Sequence, residues 1–519
     1  MSAPEGADRD VLVVGAGPTG LMMANWLVKL GVSVTVVDGK AGPTRESRAM
    51  VLQARTMEVY DQLGIVDTVL AAAERTTALA PGFESRVFGR IPLGAVGAAG
   101  TPYPWIYVLE QSRNEEILHD NLRELGGAVR WRHRLTSLTV TDGGVEAGVE
   151  GPDGPGVVRA RYCVAADGAS SPVRRLRGID FAGVTNPHVF YVVDAAGVAG
   201  VVPQAVNVRP GNRDFLLAFP MSGPGNWRLI GVVRDDHAET VSPDDVQDRL
   251  RRIFAVTYSS ARWFATYRVH HRVAASFRDG PVFLAGDAAH VHSPVGAQGM
   301  NTGLQDAHNL AFKLADVLHG RAGDRLLDAY EAERRPVARR LIATTDRIFA
   351  GVTSELLPLR TMRRLVVPLA APVAVGAASR LPVVPGLQPR RAGAARIAGA
   401  SRLFEYLSQT RIHYWMGPDA KRAARGRRDR VVGRRLPWAG GNFAALRSCR
   451  WQIHAYGGVQ PGTARVLADG LRVPVHLFPA APGTGLREGL LHLVRPDGFV
   501  AARATPGDAP EVFARAMSC

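Results

Sequence analysis

The sequence predicts an α/β protein in which a mostly parallel sheet is interrupted by an antiparallel β module and followed by a smaller α/β unit. Three observations support this fold class. Residues 11–38 read as strand, helix and strand. Short strand-like runs separated by glycine, proline and asparagine fill residues 183–271, and strand-like runs return after residue 435. Strands that alternate with helices are typical of parallel sheets, whereas short strands with frequent turns are typical of antiparallel ones.

The first predicted strand leads directly into a glycine-rich turn. Four apolar residues at 11–14 are followed by GAGPTG at 15–20, which fits the pattern G-x-G-x-x-G. In this pattern Gly15 makes the tight turn, Gly17 lets the backbone approach a pyrophosphate, and Gly20 lets helix and strand pack closely. The turn therefore predicts a dinucleotide-binding site.

A helix and a second strand complete this unit. Pro18 stands at the start of the helix, whose N-terminus favours an anion. The strand at 33–37 delivers Asp38, where a carboxylate can accept a hydrogen bond from a ribose hydroxyl. The order of strand, glycines, helix, strand and acid supports a nucleotide site, but this stretch alone does not decide between FAD and NAD(P).

The distribution of strand-like, helical and basic segments divides the chain into four units. We predict a discontinuous first domain of residues 1–70, 105–182 and 272–350, a β module of residues 71–104 and 183–271, a helical connector with a basic loop at 351–435, and a small α/β tail at 436–519.

The net charge of +16 is concentrated in one segment of the chain. Residues 390–435 hold 13 Lys and Arg against 3 Asp and Glu, and no aromatic residue stands between Lys421 and Arg435. A charge block without interleaved aromatic residues is typical of a solvated loop, so we expect no nucleic-acid partner.

Neither a membrane nor a metal is indicated. No run of 18 apolar residues occurs, and the first ten residues are polar, so we expect no membrane partner. The three cysteines, Cys163, Cys449 and Cys519, form no C-x-x-C pair, and His290 and His292 lack a third ligand. These features predict a cytoplasmic protein without a metal site.

Three further motifs carry polar residues at predicted element ends. Gln111 and Arg113 begin a helix after a short strand, and residues 167–174 read D-G-x-x-S-x-V-R. The sequence GDAAH at 286–290 follows a buried strand and delivers Asp287. Ligands of open α/β sheets bind beyond the carboxyl ends of the strands, so all three motifs are candidate binding positions.

Together with the glycine turn, these motifs resemble those of the FAD-dependent aromatic hydroxylases with the para-hydroxybenzoate hydroxylase fold. The chain looks most like the bacterial enzymes of this family that hydroxylate phenols and aromatic polyketides. The resemblance covers most of the chain and implies a Rossmann-type FAD-binding domain interrupted by an antiparallel β-sheet substrate domain, with a thioredoxin-like C-terminal domain.

The resemblance also implies non-covalent FAD and a role for each motif. The glycine turn would hold the pyrophosphate, Asp38 the adenosine ribose, and Asp287 the ribityl hydroxyls. The implied cofactor residues are Gly15, Gly17, Pro18, Thr19, Gly20, Asp38, Lys40, Arg48, Gln111, Asp167, Asp287, Pro294, Gly299, Met300 and Asn301. Two positions depart from the usual pattern, since Ala297 replaces a common glycine and Phe312 a common tryptophan.

The implied activity is a monooxygenase reaction with NADPH or NADH and O₂, which hydroxylates an aromatic substrate through a flavin C4a-hydroperoxide. The chemistry belongs to the cofactor, so we nominate no catalytic side chain. A single nucleotide fingerprint argues against two-nucleotide reductases, and the halogenase motif W-x-W-x-I-P is absent. Baeyer–Villiger or epoxidation chemistry on the same fold, and a non-catalytic flavoprotein, remain alternatives, as do a monomer and a homodimer.

Aromatic residues in the β module suggest the substrate. We expect a large planar polycycle, because aromatic faces suit stacking and burial of an extended ring system. Since strands alternate faces, some of these residues belong to the core. The expected substrate residues are Tyr191, Phe215, Phe219, Met221, Trp227 and Pro294.

Overall fold

A computed structural model describes residues 9–44, 49–212, 214–233, 241–292, 298–353, 402, 404–414 and 431–518. Most of the predicted connector at 351–435, including Lys421–Arg430 of the basic stretch, lies outside these residues. Among the described helices, none has both the length and the apolar composition of a membrane span.

The first sheet has eight strands and a parallel centre. The strands β19, β12, β1, β2 and β9 run parallel in this order, and β10 and β11 extend β12 as antiparallel neighbours. The four apolar residues at 11–14 are at most 5% exposed, as expected for a strand covered on both faces. The strands are β1 (Arg9–Val14), β2 (Val34–Asp38), β9 (Val129–Trp131), β10 (Arg134–Thr141), β11 (Gly144–Gly151), β12 (Gly154–Ala165), β18 (Arg278–Asp279) and β19 (Val282–Leu284).

Helices cover this sheet, and a small three-stranded sheet lies beside it. The first helix, at Pro18–Lys29, packs against the helices at Gln111–Glu124 and Gly299–Leu318. The helices of this part are α1 (Pro18–Lys29), α2 (Ala54–Leu63), α3 (Val66–Ala72), α5 (Gln111–Glu124), α6 (Pro172–Leu176), α8 (Gly299–Leu318) and α9 (Arg325–Thr353). The small sheet has the order β3 (Val51–Leu52), β8 (Ile106–Val108) and β4 (Glu74–Thr76).

The second large sheet has nine strands and is mostly antiparallel. One helix, α7 (Pro243–Phe254), covers one of its faces, and α4 (Leu93–Gly97) follows its edge strands. Strand β5 pairs parallel with β14, so residues 78–92 join this sheet from a distant part of the chain. The strands are β5 (Ala78–Phe83), β6 (Arg86–Val87), β7 (Ile91–Pro92), β13 (Phe181–Ala196), β14 (Ala205–Pro210), β15 (Phe215–Pro220), β16 (Trp227–Val233), β17 (Ser260–Ala274) and β20 (His290–Val291).

The tail forms a four-stranded sheet with two helices. Strand β22 runs parallel to β21, whereas β23 and β24 follow as antiparallel neighbours, an order that fits the expected thioredoxin-like unit. The elements are β21 (Gln452–Tyr456), α10 (Pro461–Leu471), β22 (Val475–Phe478), β23 (Leu491–Val494), β24 (Val500–Ala504) and α11 (Ala509–Ser518).

Buried ion pairs join the tail to the first domain. Arg495 contacts Glu333 of α9 at 2.5 Å and Asp497 at 2.6 Å. Burial opposes ionisation of Glu333, but the charges of Arg495 and Lys313 outweigh it and hold the pKa of this carboxyl below its usual range. The tail is therefore held by complementary charges that are largely removed from water.

The two described cysteines are free and buried, so they are expected to be unreactive. Burial raises the pKa of the Cys449 thiol to about 11 and raises the pKa of Cys163 as well. Because the thiolate is the reactive form, the folded Cys519→Ser variant should resist modification by thiol reagents at pH 8. Mass spectrometry should find two modified cysteines only after unfolding. Rapid labelling of Cys449 in the native protein would contradict a purely structural role for this cysteine.

Candidate functional site

The glycine turn at residues 15–20 is tightly packed on one side and open on the other, and we call it the cofactor cradle. Gly15 has a φ of +100° and donates its N–H to the carbonyl of Val37 at 2.8 Å. A Cβ at Gly20 would overlap the carbonyl oxygen of Gly15, whereas a Cβ at Gly17 would meet no atom within 4 Å. Packing therefore requires Gly15 and Gly20, and the open side at Gly17 leaves room for an anion at the start of α1.

Thr19 joins the glycine turn to the GDAAH motif. Gly286 has a φ of +60°, and a Cβ there would lie 2.5 Å from Thr19 Oγ1. A Cβ at Gly303 of α8 would also collide with this hydroxyl. The residues Pro18 and Thr19, which fill the first turn of α1, thus bring two distant strand ends and α8 together.

Asp38 stands at the end of β2 and stabilises the turn. Its carboxylate accepts the N–H of Ala16 at 2.6 Å and the N–H of Lys40 at 2.7 Å. The Lys40 ammonium lies 3.9 Å from Asp38 and 3.5 Å from Glu115, close to the ring of Trp131. Each carboxylate oxygen has a further lone pair, so contacts to a ribose remain a prediction for Asp38.

Gln111 fastens the segment before β3 to the start of α5. Its Oε1 accepts the N–H of Ala49 at 3.2 Å, and its own N–H donates to the Ala49 carbonyl at 2.9 Å. Its Nε2 donates to Glu115 at 2.9 Å. Arg48, the neighbouring residue expected at the cofactor, lies outside the described residues.

Asp167 ends β12 beside the glycine turn and carries a buried oxygen that needs a donor. Its Oδ2 accepts the N–H of Val173 at 3.1 Å, whereas its Oδ1 has no hydrogen-bond partner in the described part of the chain. Burial raises the pKa of Asp167, although hydrogen bonds from Ser171 and Val173 oppose this effect. An unsatisfied buried acceptor is costly, so this oxygen indicates a ligand donor at the cradle.

The neighbouring Arg174 is a structural residue. It donates to the carbonyls of Ala288 and Ala169 at 2.8 and 2.7 Å, and its guanidinium lies 3.8 Å from the centre of the Phe181 ring. Arg174 thereby ties the Asp167 motif to the turn around Asp287.

Asp287 lies in a short 3-10 turn directly after β19. The turn spans Gly286–Ala288, and the Asp287 side chain is exposed. The preceding residues Val282, Phe283 and Leu284 are fully buried. The structure therefore presents this carboxylate at the carboxyl end of a parallel strand, where ligands of such sheets bind.

A buried carboxylate that sequence reasoning missed supports this turn from behind. Asp306 of α8 accepts the N–H of Gly286 at 3.1 Å, His290 Nε2–H at 2.7 Å and Arg334 Nε–H at 2.7 Å. Burial opposes ionisation of Asp306, but the charges of Arg334 and His290 outweigh it and lower its pKa. The available signal was an acidic residue in the middle of an apolar helix, because a buried acid needs partners.

Side chains at the start of α8 form hydrogen bonds to residues of β3, α2 and α5. Asn301 donates to the Val51 carbonyl at 2.8 Å and accepts from Gln53 N–H at 2.9 Å and from Thr56 Oγ1–H at 2.7 Å. Met300 Sδ accepts from Asn114. Any contact of Gly299, Met300 and Asn301 with a cofactor would therefore use the N–H groups of the first turn, which have no intrahelical partner.

Two of the predicted substrate residues lie on the face of the nine-stranded sheet that α7 covers. Tyr191 and Trp227 pack with Val246, Leu250 and Phe254 of α7, and Tyr191 is only 1% exposed. Strand alternation turns the odd-numbered residues of β13 and β16 toward this helix, so substrate contacts of Tyr191 and Trp227 stay a prediction that this packing does not support.

The opposite face of the sheet carries the other predicted aromatic residues, and we call it the aromatic face. Phe219 and Met221 cluster with Val51 of β3, and Phe215 packs against Phe190. Sequence reasoning missed the β17 residues, because their alignment with β13 follows from strand register. Pro294 and Ala297 lie outside the described residues. The aromatic face comprises Phe190, Phe215, Leu217, Phe219, Met221, Trp263 and Tyr267.

Comparison with known sequences identifies relatives along the whole chain. The profile of a family described as an FAD binding domain matches residues 8–345. The 6-methylpretetramide 4-monooxygenase of Streptomyces rimosus is 31% identical over 538 aligned residues, which cover 99% of this chain and 94% of that protein.

Solved structures share the architecture of the whole chain. The anhydrotetracycline hydroxylase OxyS from Streptomyces rimosus matches with a TM-score of 0.74 and 28% identity over 98% of each chain. An aklavinone-11 hydroxylase, solved with FAD and aklavinone, matches with a TM-score of 0.75 and 25% identity over 99% of each chain. These likenesses include the tail as well as the two large sheets.

We expect the Asp306→Asn variant to be strongly destabilised. An amide oxygen in place of Oδ2 can still accept from Gly286 and His290, but the amide NH₂ then faces the Arg334 Nε–H, which is also a donor. The substitution also leaves the buried Arg334 charge without a counterion. Breaking a buried pair in this way costs about 3–5 kcal/mol in the free energy of unfolding, measurable by urea denaturation. The control is Asp248→Asn, whose ion pair with Arg251 is more than 60% exposed and should contribute little. Equal stability of the two variants would contradict the role of Asp306.

Proposed function

The chain belongs to the family of FAD-binding monooxygenases, and from this premise we propose that it uses NAD(P)H and O₂ to hydroxylate an aromatic, polyketide-type substrate. One observation supports this above the others, namely that the cofactor cradle and the aromatic face meet at the start of α8. Gly303 packs against Thr19 of the cradle, and Asn301 bonds to Val51, which clusters with Phe219 of the aromatic face.

The described residues fit FAD. The open space above Gly17 suits a pyrophosphate, and the unsatisfied oxygen of Asp167 suits a hydroxyl donor. We propose that Asp38 binds the adenosine ribose and that Asp287 binds the ribityl hydroxyls. Bound FAD supplies the redox chemistry, since it accepts a hydride from NAD(P)H and activates O₂.

We propose further cofactor contacts for residues after β2 and at the start of α5, and for two residues outside the described part of the chain. Lys40 lies beside Asp38, and Gln111 stands where α5 begins. We propose that Arg48 joins Gln111 near the pyrophosphate and that Pro294 lies beside the flavin ring. The first turn of α8 would then direct its N–H groups at the ring, where a helix N-terminus stabilises negative charge.

The protein's own contribution is orientation and exclusion of water. The aromatic face offers flat apolar surfaces, such as the rings of Trp263 and Tyr267, which are partly exposed. Such a wall holds a planar substrate in place and keeps the reacting ring dry. This reaction needs no nucleophilic side chain, so none is assigned.

We propose a polycyclic substrate because of the width of the aromatic face. It spans four neighbouring strands in the order β17, β13, β16 and β15, and its aromatic residues come from β17, β13 and β15. At a strand spacing of about 4.8 Å, the face is about 14 Å wide, which exceeds the size of a single phenol ring. The named substrates of the relatives, anhydrotetracycline and aklavinone, belong to those proteins, and they define the compound class to be tested.

We also propose that the enzyme acts in a reducing compartment, as a cytoplasmic monomer or homodimer. Cys163 and Cys449 are free thiols, and the fold is held by packing and ion pairs in the described residues.

The central experiment measures NADPH oxidation by the holoenzyme with a panel of aromatic compounds. Tri- and tetracyclic phenols, anhydrotetracycline among them, should accelerate the oxidation and gain one oxygen on a ring carbon, located by mass and NMR spectra. Simple phenols should accelerate it little, because they cover only part of the face. Efficient coupled hydroxylation of simple phenols alone would overturn the substrate class, and no stimulation by any aromatic compound would overturn the monooxygenase assignment.

The Asp287→Ala variant should bind FAD at least about 100-fold more weakly. The substitution removes a charged acceptor of two hydroxyl hydrogen bonds, each contributing about 1.5–3 kcal/mol. Titration of the apoprotein with FAD gives the dissociation constant, and acid precipitation should release all FAD because we expect no covalent bond. Asp142→Ala, in the exposed turn between β10 and β11, is the control. Full FAD occupancy of the purified Asp287→Ala variant would contradict the proposed contact between Asp287 and the ribityl hydroxyls.

A further inference from the structure

One buried ion pair interrupts the aromatic face. Arg228 of β16 donates from Nε and Nη2 to the two carboxylate oxygens of Asp194 of β13, both at 2.6 Å. The Arg228 side chain is 1% exposed, whereas that of Asp194 is 15% exposed. The guanidinium carbon lies 5.3 Å from the centre of the Trp263 ring. The carboxylate is therefore the part of the pair that can meet another molecule.

Strand register places this pair on the same face as the aromatic residues. Asp194 pairs with Trp263 on one side and with Arg228 on the other, and Arg228 pairs with Phe219. These four residues form one row across the sheet, and all of them lie opposite the face that α7 covers. The ion pair is thus part of the wall that we assign to the substrate.

Along β13, the pair lies farther than Phe190 from the strand end that begins beside the Asp167 motif. Strand β13 begins at Phe181, whose ring contacts Arg174 next to the Asp167 motif. Phe190 lies nearer to that end, and Asp194 follows four residues later. At about 3.4 Å per residue, the rows of Phe190 and Asp194 are about 14 Å apart along the strand.

Stability alone does not explain a bidentate ion pair in this wall. Removing two charges from water is costly, and apolar residues of similar volume often replace a buried pair without loss of stability. Arg228 compensates the charge of Asp194 but uses only one acceptor position on each oxygen. A carboxylate can accept further hydrogen bonds, and Asp194 is the partly accessible partner.

Resting on the proposed function, we infer that Asp194, held by Arg228, recognises a hydrogen-bond donor on a ring of the polycyclic substrate other than the oxidised ring. The donor is a hydroxyl or amide N–H group, because the acceptor is a charge-balanced carboxylate. This contact would fix the distance between the recognised end of the substrate and the flavin, and thereby select which ring is oxidised.

The test compares two tetracyclic phenols that differ at one terminal position. One carries a free hydroxyl on the ring farthest from the phenol, and the other carries hydrogen there. Dissociation constants for the FAD-loaded protein come from fluorescence quenching. The unsubstituted protein should bind the hydroxyl compound about 10- to 100-fold more tightly, as expected for a hydrogen bond to a charged group.

Variants of the pair should remove this preference without removing binding. The double variant Asp194→Leu with Arg228→Met should retain FAD, and the ratio of its dissociation constants for the deoxy and hydroxyl compounds should fall to about one. Should this variant fail to fold, Asp194→Asn tests the same contact with nearly unchanged shape, and its preference should fall at least several-fold. Asp214→Asn, which breaks an ion pair with Arg249 of α7 on the other side of the sheet, should keep the full preference.

The outcomes separate this inference from the proposed function. Stimulated NADPH oxidation with an equal preference in the unsubstituted protein and in the Asp194 variants overturns the inference alone. Absence of binding and of stimulation for both compounds overturns the proposed substrate class, and the inference with it.

Discussion

The carboxylate of Asp306 is the interaction on which the functional site depends. It is fully buried, and it binds the backbone of the turn that carries Asp287, the imidazole of His290 and the guanidinium of Arg334. Three separate parts of the chain, the segment 286–290, α8 and α9, are thereby fixed around two oxygen atoms. A turn that must present an exposed acid to a ligand cannot be stabilised from the ligand side, so its support comes from the helix behind it.

The same helix couples cofactor and substrate positions. The first turn of α8 bonds to β3 through Asn301, and two residues later Gly303 permits the close approach of Thr19. One helix thus contacts the cradle directly, and it reaches the aromatic face through Val51 of β3, which clusters with Phe219. Any displacement of this helix would therefore change cofactor and substrate contacts together.

The fold could be predicted from the sequence where local rules determine it. The parts of the site that depend on packing could not be predicted. The glycine turn, Asp38 and Asp287 are visible in the sequence, because strand ends and positive φ angles demand particular residues. The partners of Asp306 come from segments up to 28 residues away, and no local pattern connects them. Tyr191 and Phe215 look equivalent as aromatic strand residues, and only the register of the sheet assigns one to the core and the other to the aromatic face. The net charge of the sequence was also a poor guide to the charge on the surface, because buried arginines such as Arg334 and Arg495 neutralise internal carboxylates.

The ion pairs that hold the tail have a consequence for the modularity of the chain. Glu58 in α2 is nearly inaccessible and receives Arg435 at 2.9 Å, while Glu333 in α9 receives Arg495. Both acids belong to the first domain, and both cations come from residues 431–518. A shortened chain would thus retain two carboxylates that have each lost one of two cationic partners, with Arg55 left beside Glu58 and Lys313 beside Glu333. The boundary visible in the sequence is therefore crossed by charge pairs on which both sides depend. Exchange of tails between relatives would succeed only where donor and recipient share this pattern of complementary charges.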